Sequence, residues 1–202
     1  MIHKHLILNL FTIGAVKFGT FTLKSGIISP LYIDLRILIS YPQIMKKVAR
    51  AYCDMLKTIS YDRLAAVPYA SLPIVSAISL QLNEPWIYTR KEAKNYGIKK
   101  PVEGEYKKGE TVVIIDDLIS SGVSKQEIIV SLETIGLLVK DVVVLIDRLQ
   151  GGRAELARKG YILHAICTLD EILEVLKSEE KIEKSLHTKA KKFIEDNKKY
   201  DS

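Results

Sequence analysis

Two adjacent carboxylates, Asp116 and Asp117, follow an apolar run and come directly before a segment of hydroxyl-bearing residues and glycine. Two carboxylates at a strand end can hold the vicinal hydroxyls of a sugar, or a divalent cation. Residues 120–124 read Ser-Ser-Gly-Val-Ser, which provides hydroxyl donors and a glycine that lets the backbone approach a ligand closely. A helix beginning here would direct free N–H groups and its positive dipole end at the same place. The combination suits a ribose 5-phosphate.

The carboxylate pair has two other possible interpretations, a strand cap and a Walker B strand. If the aspartates only capped a strand, the agreement of several independent features over thirteen residues would be unexplained. A Walker B strand would require a phosphate-binding G-x-x-x-x-G-K-[ST] loop. The nearest match, residues 104–111, has Glu110 in the place of the lysine and precedes a strand instead of following one. A P-loop site is therefore excluded.

The elements that position these residues are predicted from the spacing of apolar residues. Strands are expected at 64–67, 86–89, 111–115, 141–146 and 161–167. Helices are expected within 1–16, 40–59, 72–82, 124–136 and 153–159 and from 168 onward, and Ser40, Ser124 and Thr168 each begin a capping-box pattern. Strands that alternate with helices favour an α/β fold with a parallel sheet covered on both faces. In such folds ligands bind at the carboxyl ends of the strands.

The composition is that of one ordinary globular domain, with 202 residues, 48% of them hydrophobic and 27% charged. No apolar run approaches membrane-spanning length, so no membrane partner is expected. Asn9 and Thr12 interrupt the N-terminal apolar stretch, which favours an amphipathic helix over a signal peptide and predicts a cytoplasmic location. Cys53 and Cys167 lie in separate apolar runs, which predicts buried free thiols.

The net charge of +6 raises the possibility of a nucleic-acid partner. About half of the excess lies in residues 177–199, where eight lysines are mixed with five acids, as in a solvated helix. Much of the remainder lies in residues 90–108, where a basic cluster suits a small polyanionic substrate. The distribution therefore argues against nucleic-acid binding.

Residues 112–124 resemble, at every position, the signature with which type I phosphoribosyltransferases bind 5-phosphoribosyl-1-diphosphate (PRPP). The resemblance implies that family's fold, a parallel central sheet flanked by helices, as a single domain. It would comprise a small N-terminal hood of about 1–40, a core of about 41–176 and a helical tail of about 177–202. It also implies PRPP contacts at Asp116, Asp117, Leu118, Ile119, Ser120, Ser121, Gly122, Val123 and Ser124. The two aspartates would face the ribose hydroxyls, and residues 120–124 would surround the 5-phosphate.

The segments 21–26 and 29–36 resemble the hood of the orotate phosphoribosyltransferases. By that likeness Lys24 would reach PRPP, and Tyr32 and Ile33 would line the orotate site. Taken alone, the two segments predict a β-hairpin with a polar turn, in which Lys24 would be a solvated lysine.

Residues 90–97 resemble the mobile catalytic loop of the same family. The likeness implies that Lys94 supports the departing diphosphate and that Arg90 and Lys91 contact phosphate. Tyr96 stands where many bacterial members have His. The eukaryotic orotate domain also has Tyr at this position. In the family this loop closes over the partner subunit's active site, so a homodimer with shared sites is implied. Taken alone, the segment would be a solvated basic loop.

Residues 145–152 resemble the segment whose arginine contacts the orotate carboxylate. A planar guanidinium pairs well with a planar carboxylate, so Arg148 is the residue most diagnostic of an acidic base. Ser120 would be a second orotate contact. The competing role for Arg148 is an ion pair with Asp147 or another neighbour.

The loop at 67–73 departs from the family, because it lacks the lysine that often lies beside its tyrosine. PRPP contacts at Tyr69 and Ala70 would therefore come from the backbone. Magnesium would be held mainly through PRPP, with Asp117 as a possible further ligand.

The overall likeness, over about residues 18–176, is strongest to the orotate domain of eukaryotic uridine monophosphate synthase. It implies a magnesium-dependent transferase that makes orotidine 5'-monophosphate in pyrimidine biosynthesis, with Lys94, Asp116 and Asp117 as its catalytic residues. A purine or uracil phosphoribosyltransferase and a PRPP-sensing RNA-binding regulator stay open as alternatives. The tail could be a surface helix or a contact for an orotidine-phosphate decarboxylase partner.

Overall fold

The computed structural model describes residues 3–23, 26–90 and 102–198, without the side chain of Ser124. The helices are α1 (Lys4–Thr12), α2 (Pro42–Leu56), α3 (Ser71–Leu82), α4 (Val123–Thr134), α5 (Gly152–Arg158), α6 (Leu169–Ser178) and α7 (Lys184–Asp196). The strands are β1 (Val16–Thr22), β2 (Ile28–Ile33), β3 (Arg63–Ala66), β4 (Trp86–Thr89), β5 (Val102–Glu103), β6 (Thr111–Ile119), β7 (Leu138–Asp147) and β8 (Ile162–Thr168). A 3-10 helix spans Leu35–Ser40.

The central sheet has six strands in the order β5-β4-β3-β6-β7-β8. Every neighbouring pair is parallel except β4 with the short β5. The predicted α/β fold with a parallel sheet is therefore confirmed. The prediction ended the central strand at residue 115, which was too early. In β6 Asp116 still pairs with Val144, and Ile119 pairs with Asp147, so both carboxylates belong to the ladder.

Both faces of β6 are buried over residues 112–115, where successive side chains point to opposite faces of the sheet. Val112 and Ile114 belong to the apolar cluster formed with α4 and α5. Val113 and Ile115 belong to the cluster formed with the other helices. Continued along the strand, this alternation directs Asp116 toward α4.

The hood consists of α1 and the antiparallel hairpin of β1 and β2, which confirms the predicted hairpin and N-terminal amphipathic helix. Leu6, Ile7 and Leu10 form the buried face of α1. Both cysteines are buried free thiols, as predicted. Among the helices of residues 3–23, 26–90 and 102–198, none is long and apolar enough to cross a membrane.

One of the three predicted capping boxes forms. Thr168 and Glu171 satisfy each other's backbone N–H groups at the start of α6. Ser40 instead ends the 3-10 helix, and α2 begins at Pro42, whose fixed φ suits a first helical position without a side-chain cap. Ser124 lies inside α4, which is preceded by Gly122 at φ 80°. The Ser40 and Ser124 predictions were wrong because the N-cap residues of these two helices are Tyr41 and Gly122.

The tail packs as part of the domain. Helix α7 lies against α6 and against the hood strand β2. Ala190 and Ile194 are buried in the larger apolar cluster. Lys191 bridges Asp170 at 2.5 Å and Glu174 at 2.9 Å, both on α6. The tail therefore packs against both α6 and the hood.

Ile194→Ala should lower the free energy of unfolding by about 2–5 kcal/mol, because Ile194 is 2% exposed and the truncation leaves a cavity. Ile162, which is 57% exposed, provides the matched control, and Ile162→Ala should cost less than about 1 kcal/mol. Urea unfolding of the three proteins measures both values. Similar small losses in the two variants would show that α7 is not part of the cooperative core.

Candidate active site

A cavity of about 600 Å³ opens at the carboxyl ends of β3, β4 and β6. Its walls come from four parts of the chain: residues 32–36 of the hood, the loop 67–70, Thr89 with Arg90, and the α4 side chains Glu127, Ile128 and Ser131. Residues 116–118 lie at its base in the centre of the sheet. The cavity is thus where a parallel sheet is expected to bind a ligand.

Asp116 is 4% exposed and is held by contacts from three directions. Its Oδ1 accepts a hydrogen bond from the backbone N–H of Asp117 at 2.8 Å. Its Oδ2 forms an ion pair with the Nζ atom of Lys125, which reaches it from α4. Its backbone carbonyl accepts a hydrogen bond from the Tyr52 hydroxyl at 2.6 Å. The carboxylate is therefore fixed in orientation and compensated in charge.

Asp117 has a different environment. Its Oδ1 accepts a hydrogen bond from the backbone N–H of Leu118 at 2.8 Å, and no described lysine or arginine lies within ion-pair distance. Burial, and then the charge and hydrogen bonding of Asp116, raise the pKa of Asp117 to about 7. The two acids therefore differ, with Asp116 paired to a cation and Asp117 able to carry a proton near neutral pH.

The loop after β6 is shaped by two glycines. Gly122 adopts φ 80° directly before α4, a conformation that L side chains rarely take. A Cβ on Gly152 would lie 2.4 Å from the carbonyl oxygen of Ser120, so the start of α5 packs directly on this loop. The positive φ of Gly122 and the close packing of Gly152 together fix residues 120–122 at the N-terminus of α4. Free N–H groups at this helix end can bind an anion.

Arg148 lies one residue beyond β7, and its backbone N–H donates to the carbonyl of Ile119 at 3.0 Å. Its Nη1 donates to the Ser120 hydroxyl at 3.3 Å, while its buried Nε has no hydrogen-bond partner. Burial lowers the pKa of Arg148. The structure thus brings together two residues for which an orotate contact was predicted.

The competing ion pair of Arg148 with Asp147 does not form. Asp147 instead accepts from Arg153 at 3.3 Å and from the backbone N–H of Leu149 at 2.9 Å. In the described part of the chain, no carboxylate lies within ion-pair distance of Arg148. A largely buried guanidinium without an anion is unusual in a folded protein, and it points to a ligand that supplies one.

The hood contributes Tyr32 and Ile33 to the cavity wall. The Tyr32 ring lies 5.5 Å from that of Phe21, and its hydroxyl accepts from Arg36 at 3.2 Å. Arg36 is paired in turn with Asp34 at 2.6 Å. Tyr32 and Ile33 share the cavity with Asp116 and Asp117, whereas Arg148 and residues 119–123 lie beside it and not in its wall.

The other predicted contacts divide into two groups. Arg90 lines the cavity and pairs with Glu103, and Tyr69 and Ala70 line the cavity as well. The remaining predictions concern Lys24, Lys91, Lys94, Tyr96 and the side chain of Ser124, which lie outside the described residues.

Lys125, Tyr52 and Gly152 were missed by the sequence analysis. Lys125 recurs at helical spacing with Ile129 and Leu132, both fully buried, and that periodicity is the signal that could have identified it. Tyr52 falls within the helix predicted at 40–59, and that prediction gave it no role at the site. Gly152 gave no signal beyond its being a glycine.

The described residues include no group of three or more His, Cys, Asp or Glu side chains able to hold a metal ion. The oxygen ligands that magnesium prefers are present in Asp117. A magnesium ion here would therefore take most of its ligands from a bound phosphate compound and from water. Mg²⁺ commonly keeps several water ligands and binds through one or two carboxylates together with substrate phosphates.

Comparison with known proteins gives relatives over nearly the whole chain. Residues 37–163 match the model of the phosphoribosyl transferase domain. Uridine 5'-monophosphate synthase of Bos taurus is 41% identical over 194 residues, which cover 95% of this chain and 40% of that protein. Orotate phosphoribosyltransferase of Caenorhabditis elegans is 38% identical over 170 residues, which cover 83% and 75%. The solved structure of UMP synthase of Leishmania donovani is similar with a TM-score of 0.90 and 44% identity, over 97% of this chain and 43% of that one. This chain thus spans about two fifths of the length of the two synthases.

Asp117→Asn should make stability less dependent on pH. The pKa of Asp117 is raised in the folded protein to about 7. Its contribution to the free energy of unfolding is therefore fully present below about pH 4 and is lost as the pH rises through about 7. Asparagine cannot ionise. The melting temperature of the variant minus that of the native protein should therefore rise between about pH 4.5 and about pH 8, measured without divalent cations. A difference that stays constant or falls would contradict the assigned environment.

Proposed function

This chain belongs to the phosphoribosyl transferase domain family, and from that premise we propose that it is an orotate phosphoribosyltransferase. In the proposed reaction the phosphoribosyl group of PRPP passes to a ring nitrogen of orotate. The products are orotidine 5'-monophosphate and diphosphate, and the reaction belongs to pyrimidine biosynthesis. The relatives named orotate phosphoribosyltransferase and uridine 5'-monophosphate synthase support this assignment.

The observation that carries the choice of base is the partly buried guanidinium of Arg148, whose Nε is fully buried and has no hydrogen-bond partner. It lies against Ser120, beside the proposed phosphate loop, and lacks a carboxylate partner among the described residues. Orotate carries a carboxylate that would pair with it, whereas hypoxanthine, adenine and uracil do not. A purine or uracil transferase would leave this charge uncompensated, which argues against those alternatives.

The side chains of the site bind and orient the two reactants. Asp116 and Asp117 accept hydrogen bonds from the ribose hydroxyls of PRPP. The loop 120–124 and the N-terminus of α4 bind the 5-phosphate. Arg148 and Ser120 hold the orotate carboxylate, and Tyr32 and Ile33 lie against the base. Held in this way, the two reactants meet with little loss of orientational freedom at the moment of reaction.

Bond formation requires no protein nucleophile. As the bond from C1 of the ribose to diphosphate stretches, positive charge develops on the ribose ring, and the ring nitrogen of the orotate anion attacks the opposite face. Magnesium bound with PRPP would offset the charge of the leaving diphosphate. Arg90, Lys91 and Lys94 would stabilise the same charge, with Tyr96 beside them and Lys24 reaching from the hood. Closure of this basic loop would exclude water from the reactive sugar.

The proposal extends to the assembly. A homodimer would let the loop containing Lys94 act in the partner subunit's site, as the family resemblance implies. The names of the synthase relatives support a partner enzyme that removes the carboxylate of orotidine 5'-monophosphate to give uridine 5'-monophosphate. Buried free thiols support a reducing compartment such as the cytoplasm.

The absorbance of orotate tests the activity directly. In the presence of PRPP and magnesium the protein should consume orotate, with no turnover when either is omitted. Uracil and hypoxanthine in parallel reactions should give less than about one hundredth of the rate, since neither offers an anion to Arg148. Turnover of another base with none of orotate would preserve the PRPP site and overturn the assignment of the base.

Arg148→Ala should raise the KM for orotate about 10- to 100-fold, the value expected for losing charged hydrogen bonds in a buried site. The KM for PRPP should change less than about twofold, because Arg148 does not contact it. Arg158→Ala, an exposed arginine of α5, is the matched control and should leave both constants unchanged. Equal losses for both substrates would indicate misfolding and contradict the specific role.

A further inference from the structure

Lys125 is a buried lysine at the proposed sugar site. It lies in the first turn of α4 and is 5% exposed, and it is the only lysine or arginine in the described part of the chain with so little exposure. It shares an inward-facing stripe with Ile129 and Leu132, which are fully buried. An apolar side chain would be the ordinary occupant of such a position, because a buried ammonium group loses its hydration.

The Nζ atom of Lys125 is paired with Oδ2 of Asp116. Asp116 lines the cavity, whereas Lys125 lies behind it and is not part of the cavity wall. Lys125 therefore reaches the site through Asp116 and not by direct access to a ligand. The alternation of β6 explains the meeting, since Asp116 continues the face of Val112 and Ile114, which packs against α4.

The pair leaves Asp116 able to bind a ligand. Each carboxylate oxygen can accept two hydrogen bonds, and each oxygen of Asp116 receives one from the protein. A remaining lone pair on either oxygen can accept a ribose hydroxyl. At the same time the charge of Asp116 is balanced. Without Lys125, two neighbouring acids would face a substrate that itself carries several negative charges.

We propose that Lys125 is a positioning residue of the sugar-diphosphate site, which holds the Asp116 carboxylate toward the ribose hydroxyls and offsets its charge so that a polyanionic substrate can bind. The inference rests on the proposed function, because it takes PRPP as the ligand of Asp116. It differs from a purely structural role in one consequence. Lys125 acts only through Asp116, so its contribution to ligand binding disappears when Asp116 is neutralised.

A double-mutant cycle on PRPP binding measures that consequence. Calorimetric titration of PRPP with magnesium, in the absence of any base, gives the affinity of the native protein, Lys125→Met, Asp116→Asn and the double variant. Lys125→Met should bind PRPP about tenfold more weakly or worse, as expected for loss of a charged hydrogen bond that orients a ligand group. In the Asp116→Asn background the same change should alter the affinity less than about twofold. Lys140→Met, at an exposed lysine of β7, is the matched control and should bind PRPP as the native protein does.

Each outcome decides a different point. A native protein that does not bind PRPP would overturn the proposed function and this inference with it. Native binding that Lys125→Met leaves within twofold would overturn this inference alone. Losses that add in the double variant would also overturn it, because Lys125 would then act on the ligand independently of Asp116.

Lys125→Gln covers the case in which the methionine variant does not fold. It keeps a hydrogen-bond donor beside Asp116 and removes only the charge, and it should still bind PRPP about fivefold more weakly than the native protein. The KM for orotate should stay within about twofold in the same variant, a separation that a general loss of stability would not produce. Unchanged affinity of Lys125→Gln for PRPP would overturn the inference.

Discussion

A carboxylate at the end of a strand that is buried on both faces has to be compensated inside the protein. Asp116, at the centre of the sheet, is such a carboxylate, since it is only 4% exposed. A lysine from α4 and the next backbone N–H satisfy its carboxylate, and a tyrosine from α2 donates to its backbone carbonyl. These partners connect the helices on the two faces of the sheet at one residue. Their convergence fixes the base of the cavity, and the proposed chemistry depends on it.

The second anchor of the site is Arg148, and the two anchors are linked through the loop between β6 and α4. Adjacent parallel strands place Ile119 beside Asp147, so the residues that follow them meet. Gly152 then allows the start of α5 to lie directly on the carbonyl of Ser120. The site therefore depends on backbone packing at least as much as on its charged side chains. Behind the hood, α7 packs on the strand that contains Tyr32, which connects the basic tail to the cavity wall.

Much of this arrangement follows from local sequence. Apolar runs located the strands, and β4 was predicted with its observed bounds. The capping box at Thr168 formed because its two partners are three residues apart and need nothing else. Ser40 and Ser124 carry the same pattern but are not N-cap residues, since α2 begins at Pro42 and Gly122 precedes α4. Neighbouring residues with strong backbone preferences therefore decided between equal capping signals.

What the sequence did not reveal depends on contacts between distant elements. Tyr52 and Asp116 are 64 residues apart, and their hydrogen bond depends on how α2 packs on the sheet. Lys125 is close in sequence, but a lysine in a first helical turn is normally solvated, so only its register with Ile129 distinguishes it. Asp116 and Asp117 were predicted from a carboxylate pair at a strand end followed by a hydroxyl-rich loop, and Arg148 was predicted from the resemblance to a known family.

We propose above all that a phosphoribosyl site at Asp116 and Asp117 adjoins a carboxylate site at Arg148. A crystal structure with orotidine 5'-monophosphate tests it most directly. The ribose hydroxyls should lie within hydrogen-bond distance of both aspartates, and the base carboxylate should accept paired hydrogen bonds of about 2.7–3.0 Å from Arg148. A nucleotide whose base carboxylate lies away from Arg148, or whose ribose does not reach the two aspartates, would contradict the account.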